Sequence, residues 1–162
     1  MVRQSSGFTL IELLVVVVIG AVLAGLAVLS VGGWGSHDDP ERQAARFAAL
    51  LEAQCEQALF QSRARGVRLS ADGYDFWQAA ATGWARVPAA GIGRSRSWPD
   101  GLEPRLFIEG RRQALEPVEE RPQIVCQPLG EMTPFELELG GTAGRARLSA
   151  SAGGRLSLRE DS

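Results

Sequence analysis

The sequence contains no lysine, one histidine (His37) and only two cysteines (Cys55 and Cys126). Each scarcity excludes something. Without a second histidine there is no imidazole pair to hold a metal, and His37 itself lies in a Gly-rich linker without metal-ligand neighbours. No serine or cysteine nucleophile has a histidine base to work with, and no glycine-rich phosphate loop is present, so no enzymatic constellation is read. No cofactor and no metal are expected. Two cysteines are too few for a disulfide scaffold or a zinc site. They leave two readings open: one bridge, if the domain lies outside the cytosol, or two buried thiols. The missing lysine is read as genomic bias, since all 17 basic residues are then arginine. Basic excess is lacking too: 17 cations against 19 acids give a net charge of −2. Broad nucleic-acid binding, which rests on a basic surface, is disfavoured.

What the chain does have is a long apolar run, Phe8 to Val31, following the short polar leader MVRQSSG. Its 24 residues would make a helix of about 36 Å at 1.5 Å per residue. That is enough to cross a hydrocarbon core about 30 Å thick. It is too long for a secretory signal peptide, and no Ala-x-Ala triplet closes it. An anchor is predicted. Arg3 precedes the span, whereas Asp38, Asp39 and Glu41 follow it, so the N-terminus is expected in the cytoplasm and the remainder across the membrane. One residue conflicts with this apolar character. Glu12 places a carboxylate inside the run, where an unpaired charge costs a few kcal/mol, and so it calls for a partner.

The stretch Gly7-Phe8-Thr9-Leu10-Ile11-Glu12 resembles the prepilin peptidase site of type IV pilins and type II secretion pseudopilins. In those families a polar leader ends in Gly, the mature chain starts with Phe, and its fifth residue is Glu. The resemblance implies cleavage after Gly7, N-methylation of the new Phe8 terminus, and no catalytic role. It also implies a use for Glu12: pairing with the Phe8 amine of a neighbouring subunit, which would fix the axial register of assembly. The domains expected are a leader (residues 1–7), an assembly helix (8–31), a linker (32–39) and a periplasmic domain (40–162).

Past the linker, Asp39 is placed to cap a helix with Pro40 in its first turn. Phe47, Leu50, Leu51, Cys55, Ala58 and Leu59 fall on one helical face, and Gly66 is read as the stop of a helix spanning about 40–65. After Gly66 the period changes to that of strands. VRLS, GYDFWQ, GWARV, RLFIE, QIVCQ, FELEL, RARLSA and RLSL are short runs with polar alternation or Gly/Pro boundaries. The last three read as an antiparallel meander. The region 89–122 reads as long loops around one strand. The fold class is therefore α+β: an N-terminal membrane helix, a Gly-rich break, and an amphipathic helix packed on antiparallel sheets.

Two further stretches, Gly73-Tyr74-Asp75-Phe76-Trp77 and Gly130-Glu131-Met132-Thr133-Pro134-Phe135-Glu136-Leu137, resemble the minor pseudopilin H family of type II secretion. That likeness implies a structural part in the tip of a short periplasmic filament that pushes folded exoproteins outward. The implied partners are the minor pseudopilins I, J and K, the major pseudopilin G, prepilin peptidase and the inner-membrane assembly platform, with secreted exoproteins as further candidates. No Asp-rich cluster comparable to the major pseudopilin's calcium loop is present. The rival reading is a minor type IV pilin that binds DNA, with Arg63, Arg65, Arg68, Arg94 and Arg96 forming a basic patch beside a stacking Trp98. A plain single-pass periplasmic protein with a coincidental leader is the other alternative.

Overall fold

The computed structural model describes residues 10–31, 39–116 and 121–161; in the first helix, side chains are placed for residues 10–19 and Ala21. The chain divides into two units, residues 1–36 and 37–162.

The first unit contributes α1, Leu10–Val31. Apart from Glu12 its sequence is almost wholly apolar, so no polar face offers it to water. Accordingly every described side chain from Leu10 to Ile19 is exposed in the single chain, Leu10 by 87% and Val15 by 48%. Such a helix needs lipid or protein around it. Among the described residues no helix is long and apolar enough to cross a membrane.

In the second unit, α2 (Pro40–Gln61) begins as its residues dictate. The Asp39 carboxylate accepts the Glu41 N–H at 3.1 Å, and Pro40 takes the first turn, where its missing N–H is harmless. Its end differs from the sequence reading. The helix stops at Gln61, not near residue 65, with Ser62 in the left-handed region at φ 49°. Gly66 is not a stop but a buried position in β1 (Arg65–Ser70), where a Cβ would strike the Pro122 ring and lie 3.0 Å from the Ile124 carbonyl. It is glycine for lack of space.

β2 (Gly73–Ala80) and β3 (Gly83–Arg86) follow, then a 3-10 turn at Gly91–Gly93 and β4 (Arg96–Ser97). Next come β5 (Glu103–Ile108), β6 (Arg111–Arg112) and β7 (Ile124–Cys126). The chain closes with β8 (Phe135–Gly141), β9 (Gly144–Ala150) and β10 (Leu156–Asp161). Two antiparallel sheets result. One runs β3-β2-β1-β7 with β4 also on β2; the other runs β10-β9-β8-β5-β6. Residues 89–116 thus hold more secondary structure than their composition suggests, with β4 and β6 present beside the one strand expected.

The core sits where α2 lies across both sheets. Phe47 is its centre, 5.0 Å edge-on to Tyr74 and 6.4 Å from Phe135, so one ring joins helix and both sheets. Leu51, Val67, Phe76, Leu106, Leu137 and Leu148 complete it, all essentially solvent-free. In β8 Phe135, Leu137 and Leu139 point inward, while Glu136 and Glu138 stand on the outer face, where both reach Arg147 of β9.

Candidate assembly site

Of the residues expected to carry assembly, Gly7 and Phe8 lie outside the described residues. Glu12 occupies the first turn of α1 with its side chain exposed among Ile11, Leu13 and Leu14. The site is chemically simple: one acid on a helix that is otherwise apolar.

Cys55 of α2 and Cys126 of β7 are joined as a disulfide, with Cα atoms 5.1 Å apart and 71 residues between them in sequence. The Met132 sulfur lies 4.0 Å from the Cys55 sulfur. A bridged sulfur has no proton to donate, so this is a packing contact that covers the bond. Arg65 pairs in register with Cys126 and is itself buried. Its guanidinium donates to Gln54 Oε1 at 2.7 Å and Gln61 Oε1 at 3.0 Å, neutral acceptors rather than carboxylates. Burial, and then the nearby charge of Arg63, lower its pKa.

The basic and aromatic platform of the DNA-binding alternative does not form. Trp98 is buried against Phe47 and Tyr74, and its indole N–H donates to the Ser70 carbonyl at 3.2 Å. No face of it is left for a base. Arg65 is inside the domain, and Arg68 grips Asp75 through two bonds of 3.1 and 2.7 Å. Arg96 donates to the carbonyls of Arg94, Ser95 and Gly91 in its own loop.

A second cluster has no sequence signal beyond strand alternation. On the face of β2 away from α2, Asp75 accepts the Trp77 indole N–H at 2.7 Å as well as the Arg68 pair, and Arg86 approaches it at 3.4 Å. The Arg68 and Arg86 guanidinium carbons lie 5.0 and 5.4 Å from the Trp77 ring. The ring therefore takes cation–π contact from two arginines and reinforces the carboxylate between them. Among the described residues no three His, Cys, Asp or Glu side chains converge as a metal site would require.

Known proteins resemble both parts of the chain. The family described as the prokaryotic N-terminal methylation motif matches residues 2–28. Type II secretion system protein H of Pseudomonas aeruginosa is 36% identical over 167 residues, covering 95% of each chain. The protein of that name from Aeromonas hydrophila is 29% identical over 175 residues, covering 98% of this chain and 96% of its own. Among solved structures, the minor pseudopilin EpsH of Vibrio cholerae superposes with a TM-score of 0.64 at 23% identity, over 76% of this chain and 98% of its own. The solution structure of Escherichia coli GspH gives 0.59 at 21% identity, over 78% and 94%. These two show the α+β fold to be that of pseudopilins. With its motif and its near full-length sequence likeness in agreement, the chain belongs to the type II secretion system protein H family.

Proposed function

We propose that this chain is a structural subunit of the pseudopilus tip, helping to push folded exoproteins from the periplasm through the outer membrane. One observation carries the reading: a methylation motif over residues 2–28 heads a chain that is like protein H along 95% of its length. The part is mechanical rather than catalytic. Prepilin peptidase removes Met1–Gly7, and the exposed Phe8 amine is methylated. The apolar run Phe8–Val31 has 24 residues, about 36 Å as a helix, and its sequence suits an inner-membrane span. Arg3 keeps the leader cytoplasmic, and the second unit lies in the periplasm, a compartment that sustains a Cys55–Cys126 bridge. Partners are the minor pseudopilins I, J and K, the major pseudopilin G and the assembly platform; the exoprotein is cargo.

Glu12 sets register in this scheme. At 4 Å, a carboxylate and a terminal amine attract by about 4 kcal/mol at an effective dielectric of 20, before desolvation is subtracted. Most of that gain is offset, but a carboxylate held in lipid away from the neighbouring amine keeps its desolvation cost, so a subunit docked at the wrong height loses most. Mass spectrometry of the protein from its host should show a chain starting at methylated Phe8. Glu12→Ala should leave cleavage intact while cutting incorporation into pseudopili at least tenfold. An intact Met1 start would refute the processing, and normal incorporation of Glu12→Ala would refute the register role.

A further inference from the structure

Arg65 is a cation inside the domain with no anion beside it. It is 7% exposed, its guanidinium donates to the Gln54 and Gln61 amide oxygens, and its buried Nε–H has no acceptor among the described residues. Neither amide needs a charge. Gln54 Nε2 is committed to the Ile92 carbonyl and Gln61 Nε2 to Gln57 Oε1, so both oxygens face Arg65, and a neutral donor would satisfy them. Burying a charge for that purpose alone is costly. The neighbourhood sets this position apart. Arg65 on β1 stands directly opposite Cys126 on β7, which puts their Cβ atoms about 4.5–5.5 Å apart on one face. Gln54 directly precedes Cys55 in α2. The side chain thus joins the strand neighbour of one cysteine to the helix neighbour of the other.

In the closed bond both sulfurs are neutral and gain nothing from a cation. Before closure one of them must be a thiolate, because the thiolate is the nucleophile of disulfide exchange. We propose that Arg65 is a positioning residue for closure of the Cys55–Cys126 bond, pinning the end of α2 to β1 and supplying the countercharge for a Cys126 thiolate. Cys126 is 1% exposed, and such burial by itself keeps a thiol protonated. A cation in the same enclosure offsets that. The other charges on the surrounding elements are outlying: Arg63, which adds to the effect of Arg65, and Glu52, Glu56, Glu131 and Arg155, every one exposed. β2 sets the neutral Gln78 opposite Arg65, and the neutral Met132 covers Cys55.

Burial also orders the steps. Cys55 is part-buried and Cys126 fully so, and an incoming disulfide therefore meets Cys55. The Cys55 thiolate attacks one donor sulfur, and the other leaves as a thiolate. The Cys126 thiolate then attacks the Cys55 sulfur of this mixed disulfide. The Cys55–Cys126 bond forms, and the donor's remaining sulfur leaves as a second thiolate. The two cysteines give up two protons and two electrons, and the donor disulfide is reduced to two thiols. The donor is a disulfide itself, either oxidised glutathione or the oxidised cysteine pair of an exported protein. None of this depends on the chain's part in a filament; it needs only an oxidising compartment.

The test uses reduced full-length chain in detergent. Oxidised glutathione is added, the mixed disulfide on Cys55 is collected at acid pH, and a pH jump starts closure, followed by acid quench and mass spectrometry. At about pH 7 the wild type should close about threefold faster than Arg65→Gln or more, the gain in thiolate less the weaker nucleophilicity of a more acidic thiol. At about pH 9, above the ordinary thiol value of about 8.5, the gap should vanish or reverse. Arg65→Lys should follow the wild type, since it keeps the charge. A variant that had merely lost its alignment or fold would stay slow at both pH values, and that result overturns the countercharge role. Equal rates near pH 7 overturn it as well, as does Arg65→Lys behaving like Arg65→Gln. Glutathione found only on Cys126 overturns the order of steps.

Discussion

Asp75 shows how far alternation along a strand carries and where it stops. In GYDFWQ the inward positions Tyr74 and Phe76 are legible from period two, and the structure buries both. The same rule would send Asp75 and Trp77 to water, yet they are 9% and 4% exposed, because Arg68 and Arg86 close over them. Nothing local in the sequence announces a cross-strand partner. Removing the carboxylate strands the Arg68 guanidinium and the Trp77 indole N–H, so Asp75→Ala should cost about 3 kcal/mol in denaturant unfolding. Tyr74 gives a sharper test. Burial raises its phenol pKa above the ordinary 10.0, against the lowering pull of Arg46 and Arg96. The unfolded chain therefore ionises first. The stabilisation is complete below pH 10 and is lost as pH climbs through the raised folded value. Tyr74→Phe keeps the ring packing but has no proton to lose. Its stability should fall less steeply than wild type above pH 10, measured by urea midpoint against pH.

For α2, the start was legible and the buried stripe only partly so. Phe47, Leu51 and Ala58 are buried as their spacing requires, but Leu59 is 50% exposed and the stripe instead includes Ala44, Gln43 and Gln54. Glutamine reads as a surface residue because burying an amide is costly until it is paired. Here Gln54 spans the gap, accepting from Arg65 and donating to the Ile92 carbonyl at 3.1 Å, a partner 38 residues away. The end differs from the sequence reading because glycine is the usual left-handed cap, and the nearest one, Gly66, has another task. Ser62 holds that conformation instead, with backbone N–H bonds back to the carbonyls of Ala58 and Leu59. Its Cβ is a liability that glycine lacks. Ser62→Gly should stabilise the domain by about 0.5 to 1 kcal/mol, raising Tm by a few degrees. β4 and β6 are not legible in the sequence for a simpler reason: two residues each, they are too short to display a period.

Across the whole molecule, the boundary between the two units coincides with the change from continuous to periodic hydrophobicity, so it could be read directly. The bridge could not. Sequence offers two cysteines, and only the folded arrangement brings β7 beside α2. It closes a loop spanning β1 to β6, the part of the domain richest in short strands and turns. Cross-linking residues 71 apart removes unfolded-state entropy equivalent to about 4 kcal/mol in the chain-entropy account. A domain of this size has about 5–15 kcal/mol in total, so the bridge supplies a large share. Residues 37–162, freed of α1, should then unfold in one cooperative step when oxidised, monitored by circular dichroism in urea. Reduction, or Cys55→Ala with Cys126→Ala, should lower the unfolding free energy by about 2–4 kcal/mol without abolishing the fold, since the Phe47-centred core persists. Equal midpoints for oxidised and reduced protein would show that packing alone orders the region, and that the disulfide only follows a geometry already set.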